Sequence, residues 1–353
     1  MGQESIIQHL PQEITINILS RLPIKTIITC KLVCKSWLEL LETREFVDFH
    51  LSKSLPGLIV FKTTRSSKIL EFFELNDEPN LEHHNVHYNP VTEFDHDLFL
   101  SRSTCIQGSA NGLLFLREVN AQPNVLHICN PITREFIELE SQEKFVYSYP
   151  TIVTYGFGVS RTTGQYKVVR VFHECTRDDN TNELLGIPKS ECHVYTLGTR
   201  SWRKIAHDHA KLEYSCRSTG AFSNGNLHWR RWLGDLYVLS GCLCICDNAS
   251  EDEIVIWLMR EYGDDKSWTK EYVISKRPDF AGECYEVVRP MKVFGDGDVL
   301  MAWDDYFLFY YSERDKVVRS IDMFGSFGSI DSFLHKPSFF SLTNFPMENA
   351  VSF

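Results

Sequence analysis

No apolar run in this 353-residue chain approaches the roughly 18 residues that a membrane-spanning helix needs, so a membrane is not an expected partner. The start, Met1-Gly2-Gln3-Glu4-Ser5, is polar and acidic and lacks the pattern of a signal peptide. The eleven cysteines are odd in number and include no Cys-x-x-Cys pair, which argues against a disulfide framework and against RING-type zinc sites. Free thiols in a cytoplasmic or nuclear setting are the default. Neither a Gly-x-Ser-x-Gly elbow nor a phosphate-binding loop is present, so catalysis is not expected. Positive charge is short as well: 36 Lys and Arg face 47 Asp and Glu, a net charge of −11. The first 50 residues hold five basic and six acidic side chains, so nearly all of the excess lies beyond them. That sign does not suit a phosphate backbone, and nucleic acid is not an expected partner.

What is present is concentrated first in residues 10–41. Pro11 suits the first turn of a helix, where its missing N–H is not needed. Ile14, Ile18 and Leu22 follow at helical spacing as one apolar stripe, with Leu19 beside it. Pro23 ends that helix. A second helical pattern carries Ile24, Ile27, Ile28, Leu32 and Val33, and Ser36 is placed to cap a third with Trp37, Leu40 and Leu41. About 30 residues cannot bury a core of their own. Spacing leaves two readings open: a cap packed on its own following domain, or a unit completed by another protein.

These residues resemble the F-box. Its pattern has Leu-Pro, an acidic residue two positions on, an Ile/Leu pair before a second Leu-Pro, and Val-Cys/Ser-Lys-x-Trp at its end. Here those positions are Leu10, Pro11, Glu13, Ile18, Leu19, Leu22, Pro23, Val33, Cys34, Lys35 and Trp37. The resemblance implies a helical unit over residues 5–45 that docks on a Skp-type adaptor and, through it, a cullin. It implies contacts from Leu10, Pro11, Ile18, Leu22, Pro23, Ile27, Val33, Cys34 and Trp37, some of which must serve internal helix packing.

The remaining residues, 46–353, read as short strands. Gly57, Gly112, Gly164, Gly225, Gly241 and Gly297 each lead an apolar segment, at intervals of 55, 52, 61, 16 and 56. A period near 50 with about four strands per unit predicts an all-β propeller of kelch-like size, against a β-sandwich as the alternative. Asn130-Pro131-Ile132-Thr133-Arg134, Tyr155-Gly156-Phe157-Gly158, Tyr166-Lys167-Val168-Val169, Ser201-Trp202 and Gly225-Asn226-Leu227-His228-Trp229 resemble the plant F-box-associated domain. The 16-residue interval leaves the Gly225 unit without its outer half. Either the ring closes with one fewer blade, or part of a blade near 229–241 is missing.

Other candidates read more plainly as structure. Cys242, Cys244 and Cys246 share one face of a strand, a flat row that suits core packing better than a zinc tetrahedron. His83, His84, His87, Asp95, His96 and Asp97 read as a solvated loop. Cys30 and Cys34 lie one helical turn apart with only Lys31 and Lys35 to activate them. No metal and no cofactor is expected. The polar stretch 173–190, with Arg177, Asp178 and Asp179, and the junction Arg230-Arg231-Trp232 are candidate recognition residues for a protein target. The expectation is a non-catalytic adaptor that joins a target protein to a ubiquitin ligase. A propeller lectin or enzyme with a helical cap is the alternative, as is a shortened chain that occupies the adaptor without binding a target.

Overall fold

The computed structural model describes residues 10–63, 68–75, 92–95, 103–118, 125–140, 151–174, 189–206, 219–229, 235–276, 288–303, 307–321 and 330–352. Four helices come first: α1 (Gln12–Leu19), α2 (Ile24–Cys30), α3 (Lys35–Leu41) and α4 (Arg44–Lys53). Pro11 and Pro23 sit at the N-caps of α1 and α2, as their missing N–H allows. The third helix starts two residues earlier than Ser36 capping predicts, with Cys34 at its N-cap and no side-chain cap bond. α4 is absent from the three-helix expectation and spans the expected boundary at residue 45. Thr43 caps it, its Oγ1 accepting from Phe46 N at 3.2 Å.

Among the described residues every later element is a strand or a 3-10 turn. The first sheet holds β1 (Gly57–Thr63), β2 (Lys68–Phe73) and β3 (Thr92–Asp95). The second holds β4 (Thr104–Ala110), β5 (Leu113–Glu118), β6 (Leu126–Asn130) and β7 (Glu135–Leu139). β8 (Thr151–Val159), β9 (Tyr166–Glu174), β10 (Lys189–Thr196) and β11 (Trp202–Ile205) form the third. β12 (Ala221–Ser223) and β13 (Asn226–His228) form a hairpin alone. β14 (Asp235–Leu239), β15 (Cys242–Asp247), β16 (Glu253–Met259) and β17 (Trp268–Ser275) make the next sheet. β18 (Val288–Val293), β19 (Val299–Trp303), β20 (Phe307–Ser312) and β21 (Val317–Ile321) make the last. β22 (Ile330–His335) returns to pair with β1, and β23 (Val351–Ser352) pairs with β7.

The result is a β-propeller of five full blades, with a two-stranded unit where a further blade would stand. Around one central channel the wall is drawn from β4, β8, β12, β14, β18 and β22, the innermost strand of each unit. The recurring glycines mark where each unit enters its second strand. Asn111-Gly112, Asn224-Gly225 and Ser240-Gly241 all have positive φ at both residues, the geometry of a two-residue hairpin turn that follows strand twist. The short interval between Gly225 and Gly241 is therefore a unit reduced to its two inner strands.

That hairpin is held by close approach to the third sheet. Gly220 N donates to Tyr155 O at 2.7 Å, and Gly156 and Gly220 form a parallel bridge. A Cβ on Gly156 would lie 2.7 Å from Trp229 Cζ2, so the indole occupies the room a side chain would need. Two of the sequence motifs thus meet: Tyr155–Gly158 forms the bed on which Phe222 and Trp229 lie.

The chain end locks the ring. After β22, residues 336–350 cross the second and third blades as a strap. Buried Asn130 donates through Nδ2 to Ser338 O and Phe340 O at 3.0 and 2.7 Å, while its Oδ1 accepts from Ile132 N. Glu135 accepts from Ser341 Oγ and from Leu342 N. Glu348 accepts from Tyr195 OH and from Gly198 N, each at 2.8 Å. Phe339 packs on Phe46 and His50 of α4, at ring distances of 6.1 and 5.1 Å. Among the described residues, no helix is long and apolar enough to cross a membrane.

Two expectations concern stability. Glu348→Ala removes the acceptor for buried Tyr195 and for Gly198 and should cost about 2–4 kcal/mol in a denaturant titration, with Glu348→Gln recovering part of the loss. Burial holds the His50 imidazole at about 4, helped by the Lys336 charge, and holds His335 at about 3. Both histidines are neutral when folded and take up a proton when unfolded at ordinary histidine pKa, so their contribution is complete above pH 6.5 and declines as pH falls toward those values. Unfolding free energy should drop by about 2 kcal/mol per histidine between pH 6.5 and pH 5, and His335→Asn should flatten that slope by one histidine's share.

Candidate docking face and reading face

The helical unit is neither free nor fully enclosed. Ile16 and Leu19 of α1, Ile24, Ile27 and Cys30 of α2, Leu41 of α3, and Phe46 and Val47 of α4 share one core with strands of the first two blades. Ile24 N also donates to Glu74 Oε1 at 3.0 Å, tying the start of α2 to the residue after β2. The opposite side of the same helices stays apolar and exposed. Ile14 and Ile18, one turn apart on α1, are 47 and 50 % exposed, and Leu32 and Val33, between α2 and α3, are 85 and 61 % exposed. Leu38 on α3 adds to this side. The unit thus has two apolar faces, and its own propeller covers one of them.

The sequence-derived contact residues divide between these faces. Pro11, Ile18, Pro23 and Val33 are exposed, and Leu10, Leu22, Cys34 and Trp37 are partly so. Leu22 and Trp37 lean on the shared core, which gives them a packing role. Ile27 is fully buried there and packs against the protein's own blades. Ile14, Leu32 and Leu38 were missing from the set. Ile14 lies on the stripe of Ile18, which is the signal that could have found it.

The thiols have separate environments. Burial raises the Cys30 pKa, whereas the Ser36 hydroxyl, 3.3 Å from Cys34 Sγ, and the Trp37 backbone N–H lower that of Cys34. The neighbouring lysines play no part in either shift; Lys31 instead lies near Glu42 and over the Phe339 ring. On β15, Cys244 and Cys246 are buried, and burial pushes Cys244 up. Among the described residues no group of three or more His, Cys, Asp or Glu could hold a metal ion.

The other candidates, Arg177, Asp178, Asp179, Arg230, Arg231 and Trp232, lie outside the described residues. So does the His83, His84, His87, His96 and Asp97 group; of Asp95 only the backbone, at the end of β3, is described. The strands that precede the two recognition candidates are described, and both β9 and β13 are second strands of their units. Second strands begin at the side where α4 passes into β1, so β9 and β13 end on the opposite side of the ring.

A helical unit with one face built into a propeller and the other left apolar is the architecture of an F-box protein carrying its own β-scaffold. The family models agree: residues 57–239, just over half of the chain, match the F-box associated beta propeller domain, and residues 7–47 match the F-box-like model. The chain belongs to the F-box-associated propeller family. Curated relatives from Arabidopsis thaliana include F-box protein At3g07870, 25% identical over 87% of this chain and 86% of that one. F-box/kelch-repeat protein At3g23880 is 28% identical over 83% and 85%, and F-box protein CPR1 is 25% identical over 76% and 73%.

The two faces of α1 and α2 should respond differently to a buried-or-exposed test. Ile18→Asp should leave the thermal midpoint within about 2 °C of the parent, because an exposed site has no core to disturb. Ile27→Asp places an unpaired charge in the shared core and should cost more than about 4 kcal/mol, read as loss of the cooperative melt.

Proposed function

We propose that this chain is the substrate-recognition subunit of a Skp–cullin–F-box ubiquitin ligase. The observation that carries the reading is the exposed apolar side of the helical unit, with Ile14, Ile18, Leu32 and Val33 on the side away from the propeller. A Skp-type adaptor completes that face, with Leu10, Pro11, Ile18, Leu22, Pro23, Val33, Cys34 and Trp37 at or bordering the contact, and the adaptor carries the cullin. The propeller holds a protein target. Arg177, Asp178, Asp179, Arg230, Arg231 and Trp232 are proposed to read it, from the side of the ring opposite the helices. Catalysis by this chain is not required: holding a target near a charged ubiquitin-transferring enzyme raises effective concentration. The proposed setting is the cytoplasm or the nucleus.

The test is co-purification and titration with a Skp-type adaptor. Ile18→Asp together with Val33→Asp should weaken binding by about 30-fold or more while the melt stays that of the parent. Undiminished binding by that folded double variant would sink the docking reading.

A further inference from the structure

The central channel of the propeller is a cavity of about 410 Å³, inside the size range of small-molecule sites (roughly 300–1,000 Å³). Its wall is mostly apolar, with Phe157, Phe222, Leu236, Met291 and Leu334 among the lining residues. Among the described residues the charged ones that line it are Arg289 and Lys336, with no Asp or Glu, although the chain as a whole carries −11. The two cations differ. Arg289 is paired with Asp331 at 3.3 Å, which fixes it within the wall. Lys336 follows the last residue of β22, at the end nearest the helices, and forms no ion pair with any described residue. Burial lowers its pKa, as for an ammonium drawn partly out of water.

An apolar tube whose end carries a cation with no ion-pair partner among the described residues selects a particular chemistry. We propose that the channel binds a small organic anion, its charged group at Lys336 and its apolar body extending between Met291, Phe157 and Phe222. The inference rests on the closed ring and not on adaptor docking, and the two stand or fall separately. A neutral ligand of the same shape would leave the ammonium without a partner, whereas a bare inorganic anion would leave the apolar wall wet. A macromolecular ligand fits less well, because the cavity encloses a volume suited to one small molecule.

The experiment uses the full chain and 2-naphthoate, with 2-naphthamide as its neutral counterpart, in calorimetric titrations. The naphthoate should bind saturably and about tenfold or more tighter than the amide. Lys336→Gln should bring the two within about twofold of each other, with an unchanged melt. Val238→Trp, which narrows the channel, should weaken naphthoate at least about tenfold. Absence of saturable naphthoate binding, equal affinity for acid and amide in the parent, or naphthoate affinity unaltered by Lys336→Gln would each overturn the proposal. Because Lys336 and Val238 lie away from the exposed helical face, adaptor binding by both variants should remain at the parent level.

Discussion

The structure depends on the pairing of β22 with β1. Six residue pairs, from Gly57 with His335 to Lys62 with Ile330, join segments separated by most of the chain and supply the first blade's inner strand. Without it β1 would be an exposed edge, and the ring would stay open at the point where the helices attach. The strap that follows reinforces the closure. Asn130, Glu135 and Glu348 each satisfy polar groups of residues 336–350 or of the blades beneath them, in sites where an unpaired group would be costly. Because Phe339 of the same strap packs on α4, the segment that closes the ring also seats the helices.

That coupling gives the molecule its polarity. The helices are fixed on the side of the glycine turns, sharing a core with the first two blades, and only three residues separate the end of α4 from β1. The second strands carry the chain from this side to the other. An exposed apolar helical face at one end and second strands that end at the other therefore follow from one topological fact, the alternation of strand direction within each blade. The reduced unit at β12–β13 does not break this arrangement. It keeps the two strands that ring continuity requires, and it seats them by matching glycines of the third blade to the rings of Phe222 and Trp229.

The repeat was legible because it is a local requirement. A two-residue turn between twisted strands needs positive φ at both positions, so Gly112, Gly225 and Gly241 recur where β4, β12 and β14 reverse. The 16-residue interval could be read as half a unit for the same reason. Whether the ring closed across it was not legible, since the answer lies in contacts between Gly156, Gly220 and Trp229. The fourth helix escaped notice because its core residues, Phe46 and Val47, gain their meaning only against Phe339 and the blade strands. The candidate recognition residues at 177–179 and 230–232 lie outside the described residues, and only the strands that precede them are described.

By itself the sequence determined the helix starts at Pro11 and Pro23, the turns of the ring and the family to which the motifs point, whereas the end of α1 at Leu19, before Leu22, was not read from it. These are set by backbone preferences acting over a few residues. Only tertiary structure decided which apolar face is left free. Ile14 and Ile18 are as apolar as Ile16 and Leu19, and all lie on the same short helix. The propeller covers the second pair and leaves the first in water, because burial depends on which surface arrives from elsewhere in the chain.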